Sequence, residues 1–407
     1  MNLGVYIQVP FCRTKCTYCN FHTGVFPQGM YSPYVDAVVR EIAEHRALYE
    51  AAGVAKSFAT RNAAANGAKN ITSGAAARDG GFVVDTVYIG GGTPSLLEPS
   101  ALARVMDAVR KSFACAIEEV TLEADPETIT REKVAAWRAE GINRASMGTQ
   151  SFNDKELSAA GRLHRRTDIF AADEALRAGG IGNISFDLIA GLPHQTSESW
   201  RESVRELIAL GPEHVSIYML EIDEGSRLGR EALAGGARYS AAAIPEDDAI
   251  ADFYEHGCEA LAAAGYEHYE ISNWARPGLR SRHNLKYWKR EPYLGFGAGA
   301  HSFDGAMRWA NAHDPAEYTT ALTGGRLPAE QAESLSPRQS LDEELFLGLR
   351  VSDGIRVDEL EARYNVRLEA RLGGLFERGL IERNDGRVRL TPSRIAVSNE
   401  VFVELVS

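Results

Sequence analysis

The feature that most constrains the fold of this chain is an alternation of short apolar runs with amphipathic stretches of helical length. The candidate strands are VYIQV (5–9), VVDTVYI (83–89), EVTLE (119–123), RASMG (144–148), ISFDLIA (184–190) and HVSIYML (214–220). Helical patterns between them cover residues 33–51, 100–113 and 167–180. Near-continuous apolar runs are typical of parallel strands buried on both faces. The alternation therefore predicts an α/β fold built around a full or partial parallel barrel.

Two segments interrupt this alternation. Residues 54–81 contain nine Ala and four Gly without an apolar period, which predicts a flexible insertion. Residues 225–245 form a second region that we expect to be irregular. We therefore expect the barrel to occupy residues 1–225 and an extension of it to occupy residues 226–335.

The pattern changes again at about residue 340. Two helical patterns are followed by short apolar runs around Asp385-Gly386, which is a strong hairpin signal. Helices followed by a hairpin predict a small winged-helix-like α+β domain over residues 340–407. This segment has 13 acidic and 10 basic side chains, so we expect it to pack or to act as a lid and not to bind DNA.

Charge and hydropathy exclude further classes of protein. The formal net charge is −12, whereas proteins that bind nucleic acid usually present a basic face. No run approaches the roughly 20 apolar residues that span a bilayer. The start MNLGVYIQVPFC lacks a basic region followed by a long apolar run. We therefore expect no signal peptide and a cytoplasmic location.

Three of the five cysteines, Cys12, Cys16 and Cys19, lie in a C-x3-C-x2-C pattern directly after the first candidate strand. Loops at the carboxyl ends of barrel strands form the active face. Three thiolates can hold three irons of a cubane cluster, and the fourth iron then stays open for a ligand. Zinc is the alternative, because His22 could supply a fourth ligand. A zinc-bound barrel would serve only as an interaction module.

The cysteine pattern resembles that of the radical S-adenosylmethionine (SAM) superfamily. More closely, VYIQVPFCRTKCTYCNF resembles the start of the oxygen-independent coproporphyrinogen III oxidase family and of its haem-chaperone branch. The resemblance implies a partial parallel (β/α)6 TIM-like barrel of radical SAM type with a [4Fe–4S] cluster on Cys12, Cys16 and Cys19. It also implies cluster-bound SAM, its reductive cleavage to a 5′-deoxyadenosyl radical, and a reductant such as flavodoxin or ferredoxin.

Glycines and polar residues at the ends of successive candidate strands form the second part of the resemblance. Gly90-Gly91-Gly92-Thr93-Pro94 allows close backbone approach to a ligand but lacks the Gly-Lys-Ser/Thr of a P-loop. Each polar strand-end residue alone is more often structural, but in a barrel such residues converge. The residues that the resemblance assigns to SAM and its surroundings are Tyr6, Tyr18, Gly91, Gly92, Thr93, Glu123, Gln150, Arg162 and Asp187.

The segment His283-Asn284-x-x-Tyr287-Trp288 resembles the HNxxYW signature of the haem-chaperone branch. An imidazole can ligate haem iron, and aromatic rings can stack on a porphyrin. His283, Tyr287 and Trp288 are therefore candidates for haem binding. The alternative is that His283 is a hydrogen-bonded structural residue and that the two aromatic residues belong to the core.

Two departures distinguish this chain from the oxidase. Phe21 stands where the oxidase has a further cysteine, and only eleven residues precede Cys12. Together with HNxxYW, they favour a haem chaperone, which binds haem and transfers it to acceptor proteins. The alternative is an oxidoreductase of the coproporphyrinogen dehydrogenase type, which would decarboxylate coproporphyrinogen III oxidatively to protoporphyrinogen IX in porphyrin biosynthesis. The sequence leaves open whether the chain is an enzyme.

Overall fold

The computed structural model describes residues 1–52 and 82–406, so the insertion expected at 54–81 lies outside the described residues. Within these ranges the strands are β1 (Asn2–Val9), β2 (Val83–Gly91), β3 (Cys115–Ala124), β4 (Arg144–Gln150), β5 (Asn183–Ala190), β6 (His214–Met219), β7 (Glu267–Glu270), β8 (Asn273–Ala275), β9 (Tyr293–Phe296), β10 (His301–Phe303), β11 (Met307–Asn311), β12 (Ala329–Ser334), β13 (Ile381–Asn384) and β14 (Arg387–Leu390). The α-helices are α1 (Tyr31–Ala51), α2 (Pro99–Ser112), α3 (Arg131–Ala139), α4 (Asp154–Ala159), α5 (Arg166–Ala178), α6 (Ser197–Leu210), α7 (Arg227–Leu233), α8 (Asp247–Ala263), α9 (Arg282–Trp288), α10 (Pro315–Thr323), α11 (Pro337–Arg350), α12 (Val357–Tyr364), α13 (Glu369–Glu377) and α14 (Ser398–Val406).

A single large sheet organises the barrel, with the strand order β12-β11-β10-β9-β1-β2-β3-β4-β5-β6-β8-β7. Strands β1 to β6 are parallel to one another, as the alternation predicts. Strand β9 adds a seventh parallel strand beside β1. Antiparallel strands then extend both sides of the sheet, which the sequence did not indicate. The predicted partial barrel is therefore confirmed, and it is part of a wider open sheet.

The two faces of the parallel strands differ in polarity. On β1, Val5 and Ile7 are buried in the main apolar core together with Ile42 of α1 and Met106 of α2. The intervening Tyr6 points to the opposite face, because successive side chains of a strand alternate. The helices therefore cover an apolar outer face, while polar side chains enter the inner face. This inner polarity differs from the continuous apolar burial expected from sequence, and it provides polar groups for a site.

The segment that we expected to be irregular, 225–245, contains helix α7. The Ser226 hydroxyl caps this helix by accepting a hydrogen bond from the backbone N–H of Gly229 at 2.8 Å. A short 3-10 helix follows at Arg238–Ala243. The expectation was wrong for these residues, because a serine N-cap stabilises a helix that has little apolar periodicity.

The C-terminal domain has its own apolar core, which includes Leu345, Leu375 and Val388. Its hairpin pairs β13 with β14 in antiparallel register. The turn residues Asp385 and Gly386 have φ values of 48° and 74°, as a two-residue turn of type I′ requires. The predicted helices and hairpin are confirmed, and α14 packs against them as a further helix.

None of the helices in residues 1–52 and 82–406 combines the length and the apolar character needed to cross a membrane.

Candidate functional site at the barrel mouth

A cavity of about 460 Å³ opens at the carboxyl ends of the parallel strands. The sequence-predicted residues that line it are Cys12, Cys16, Tyr18, Cys19, Gly91, Gly92, Thr93, Glu123, Gln150, Arg162 and Asp187. They come from six separate segments of the chain. They meet because the carboxyl ends of neighbouring parallel strands lie at one edge of the sheet.

The backbone of the cysteine loop is fixed by bonds to distant segments. The N–H of Cys12 donates to the carbonyl of Gly24 at 2.8 Å, and the N–H of Thr17 donates to the carbonyl of Ala160 at 3.0 Å. Burial raises the pKa of the Cys12 thiol to about 11. A metal ligand must be a thiolate, so as a ligand this thiol would need a bound metal cation beside it to lose its proton.

Gly92 brings the backbone after β2 against the cysteine loop. A Cβ atom at this position would lie 2.6 Å from the carbonyl oxygen of Phe11 and 2.9 Å from Sγ of Cys12. Only glycine leaves this space open beside the sulfur. Three thiols line the cavity, and the backbone of Gly92 beside them carries no side chain. This arrangement fits a cluster held by three cysteines. Across the two described ranges, no group of three or more His, Cys, Asp or Glu side chains is arranged to hold a single metal ion.

A buried carboxyl group lies at the ends of β2 and β3. Glu123 accepts a hydrogen bond from the N–H of Gly91 at 2.8 Å and another from the hydroxyl of Tyr88 at 2.8 Å. Burial raises the pKa of Glu123 to about 7. Gly91 has a φ of 117°, which a residue with a side chain rarely adopts. The turn therefore requires glycine at this position to aim its N–H at the carboxyl.

Arg162 connects the cysteine loop to the strand ends. It donates through Nη1 to Sγ of Cys16 at 3.5 Å and through Nη2 to the carbonyl of Gly148 at 2.8 Å, and it forms an ion pair with Asp125. Asp125 also accepts a hydrogen bond from the hydroxyl of Thr93 at 3.0 Å. Burial alone would lower the pKa of Arg162, but Asp125, Tyr18 and Cys16 raise it.

Sequence reasoning missed Asp125 and Tyr88. Asp125 lies two residues after Glu123 in TLEADPE, so its place just beyond a strand end was an available signal. Tyr88 lies in the middle of a strand, and no local pattern indicates that its hydroxyl reaches Glu123.

Asp187 provides a polar atom without a partner. Its Oδ1 is buried and has no hydrogen-bond partner in the described part of the chain, and burial raises its pKa. A buried acceptor without a donor is costly unless a ligand satisfies it. On the neighbouring strand, Gln150 adopts a φ of 65° where β4 ends at the cavity.

Tyr6 does not line the cavity. Its ring lies 6.0 Å from that of Tyr88, and its hydroxyl donates to Oε1 of Gln8 at 2.5 Å. The side chain therefore packs among neighbouring residues of β1 and β2. The structure therefore does not bring Tyr6 together with the other residues assigned to SAM.

Helix α9, which carries HNxxYW, packs against the opposite end of the barrel. Nζ of Lys286 lies 2.8 Å from Oδ1 of Asp85, which is near the amino end of β2. The N–H of His283 donates to Oε1 of Glu119 on β3 at 3.0 Å. The haem candidates and the cysteines therefore lie at opposite ends of the parallel strands.

Both ring nitrogens of His283 have partners. Nδ1 lies 2.9 Å from the hydroxyl of Thr86, and Nε2 lies 2.9 Å from the hydroxyl of Tyr287. The side chain is 0 % exposed, and burial lowers its pKa to about 3. The geometry is that of a hydrogen-bonded structural histidine, and neither nitrogen is free to ligate iron in this arrangement.

Trp288 is separate from His283 and Tyr287. It lines a cleft of about 910 Å³ against the C-terminal domain, together with Ile355 and Leu360. The guanidinium of Arg350 lies 4.7 Å from the centre of its ring. The three haem candidates therefore do not share one cavity.

The sequence and the structure were compared with known proteins. Residues 73–207 match the radical SAM superfamily, and residues 335–394 match the HemN C-terminal domain. The chain is 31 % identical to "Heme chaperone HemW" of Bacillus subtilis, covering 98 % of each chain. It is 36 % identical to the protein of the same name from Synechocystis, covering 87 % of this chain and 79 % of the relative.

A solved structure described as coproporphyrinogen III oxidase (HemN) from Escherichia coli, a radical SAM enzyme, has the same fold. Its TM-score is 0.80 at 22 % identity, covering 99 % of this chain and 89 % of the other. At this identity the likeness concerns the fold alone. The similarity to the two HemW proteins extends over most of each sequence, and on that ground the chain belongs to the HemW family of the radical SAM superfamily.

Proposed function

We propose that this chain is a haem chaperone that binds haem and transfers it to haem-accepting proteins. The observation that carries the proposal is its similarity, over 98 % of each chain, to a protein named as a heme chaperone. The presence of Phe21 at the cavity, where the oxidase has a further cysteine, also supports it.

We further propose that Cys12, Cys16 and Cys19 would hold three irons of a [4Fe–4S] cluster. When bound, such a cluster would supply the electron for the reductive chemistry of SAM. The open space beside Gly92 supports this assignment, because a side chain there would collide with the Cys12 sulfur. The hydrogen bond from Arg162 stabilises negative charge on the Cys16 sulfur.

The polar groups of the cavity are suited to the charged and hydroxyl groups of SAM. Asp187 offers a buried acceptor that has no partner in the described part of the chain, and Glu123 offers a second carboxyl. Arg162 supplies a cation for a carboxylate, and Gln150 and Thr93 add donors and acceptors. We assign these side chains to the SAM ribose, amino group and carboxylate.

We also propose that residues 1–225 form the barrel, residues 226–335 its extension and residues 340–407 a winged-helix-like domain. We further propose that the chain is cytoplasmic and that a flavodoxin or ferredoxin reduces its cluster.

Two measurements on anaerobically reconstituted protein test the proposed function. The first is turnover of coproporphyrinogen III with SAM and a reductant, and we expect no protoporphyrinogen. The second is transfer of haem from the loaded chain to an apo-haem protein, followed by the change in the Soret band. Formation of protoporphyrinogen would establish the oxidase instead, and failure to take up haem would refute the chaperone.

A Cys19→Ala variant is the matched control. It should lose the cluster, so a comparison of its haem uptake with that of the wild type separates haem binding from the presence of the cluster.

A further inference from the structure

His22, on the cysteine loop, stacks on His313, which follows β11. The ring centres are 4.0 Å apart, and the planes are inclined by 30°. His22 is exposed and lies between Phe21 and Thr23, which both line the cavity. The pair therefore lies at the rim of the cavity, close to the cysteines and far from HNxxYW.

The His22 ring is available to a ligand. Among the described residues, no hydrogen bond to either of its ring nitrogens is formed, which contrasts with the two bonds to His283. Partial burial and the nearby His313 and Lys15 lower its pKa, which favours the neutral form of the ring. A neutral imidazole is the form that ligates iron.

The rim also presents apolar surface and positive charge. Phe21 is 67 % exposed and Leu163 is 53 % exposed, and both line the cavity. Tyr218 and Met219 are exposed apolar residues of the same cavity. Exposed apolar side chains grouped at a cavity mark a binding site. Arg13 and Lys15 lie on the same loop and could pair with carboxylates.

The rim thus offers an imidazole, apolar surface and positive charge. Haem has a matching iron with axial positions, an apolar macrocycle and two propionates. We infer that haem binds at the rim of the cysteine cavity with His22 as an axial ligand of its iron. The inference rests on the proposed haem binding and deepens it by naming the site. His313 acts as a positioning residue, because its ring holds the His22 ring by stacking, and two rings stacked at 4.0 Å cannot take opposite faces of one iron.

The test is haem titration of the cluster-reconstituted full chain, monitored by the Soret band and by the electron paramagnetic resonance of ferric haem. We expect His22→Gly to weaken haem binding by at least about tenfold. Mutating a residue that supports a metal ligand lowers metal affinity by about this factor. Added imidazole should restore the wild-type spectrum, since it can enter the space that the side chain leaves. If His22 had only a structural role, added imidazole would not restore the wild-type spectrum.

Two variants of His313 separate stacking from ligation. His313→Phe keeps a ring against His22, so it should retain haem affinity and spectrum, whereas His313→Ala should lose affinity about tenfold. Equal loss in both variants would identify His313 as the ligand and overturn the assignment of His22.

His256→Ala, which changes a helix residue on α8 away from this rim, is the control and should bind haem as the wild type does. Unchanged affinity and spectrum in His22→Gly would refute the rim site while the chaperone proposal stands. Absence of haem uptake by the wild type would refute both.

Discussion

Arg162 donates a hydrogen bond to the sulfur of Cys16 across 3.5 Å, although 146 residues separate them in sequence. The arginine is held in place by Asp125 and by the carbonyl of Gly148. Donation to a ligand sulfur stabilises negative charge, and it is one of the factors that set the potential of an iron–sulfur cluster.

Replacing Arg162 by Ala should therefore lower the reduction potential of the cluster. Loss of the cation destabilises the reduced, more negative state, and we expect a shift on the order of −60 mV, equivalent to a tenfold change in a one-electron equilibrium. A redox titration of the reconstituted cluster measures the shift. Arg165→Ala, an exposed neighbour, should leave the potential unchanged, and equal shifts in both variants would contradict a specific contact.

Replacing any one of Cys12, Cys16 and Cys19 by Ala should abolish the broad visible absorption of the cluster. Cys115→Ala should preserve it, because Cys115 begins β3 at the end of the strand opposite to the cavity. Iron and sulfide analysis provides the measurement, with about four of each expected per wild-type chain for a cubane. Loss of the cluster in Cys115→Ala would disprove the ligand assignment, and one zinc per chain would indicate the zinc-bound barrel instead.

Gly92→Ala should reduce cluster content while the barrel stays folded. The new Cβ would lie 2.6 Å from the Phe11 carbonyl and 2.9 Å from the Cys12 sulfur, so the cysteine loop must move. Cluster absorption per chain and far-ultraviolet circular dichroism together test this. Gly182→Ala is the control, since nothing lies within 4 Å of its Cβ, and an equal loss of cluster there would exclude the steric explanation.

His283→Ala should lower the free energy of unfolding by about 3 kcal/mol, because it leaves the hydroxyls of Thr86 and Tyr287 without a buried partner. Denaturant unfolding measures the loss. Haem bound per folded chain should stay near the wild-type amount. A stable variant with weakened haem binding would restore His283 as a candidate for haem binding.

Glu41 should make stability depend on pH. It is 0 % exposed, and burial raises its pKa from 4.5 to about 7 in the folded chain. Between these values the folded state keeps a proton that the unfolded state releases, so the free energy of unfolding falls as the pH rises.

Between pH 4.5 and pH 8 the wild type should therefore lose about 3 kcal/mol relative to Glu41→Gln, which cannot ionise. Denaturant unfolding at several pH values compares the two slopes. Glu50→Gln, at an exposed position of the same helix, should follow the wild type. Parallel slopes for Glu41→Gln and the wild type would show that Glu41 is ionised in the fold across this range.

The sequence by itself determined the parallel strands β1 to β6, the C-terminal hairpin and the cysteine loop. These depend on local information: the apolar period along a strand, the φ preferences of Asp385-Gly386, and the spacing of three thiols directly after a strand. It also indicated that Glu123, Gln150 and Arg162 meet, because the ends of parallel strands lie at one edge.

The tertiary structure alone decided the depth and the partners of each side chain. Tyr6 does not line the cavity, His283 has two hydrogen-bond partners, and His22 stacks on a residue 291 positions further along the chain. The added strands β7 to β12 likewise depend on pairing between distant segments. Periodicity shows which face of an element is apolar, but not which residue from elsewhere in the chain lies against it. For that reason the meeting of the three cysteines with the strand ends followed from sequence, and the separation of the three haem candidates did not.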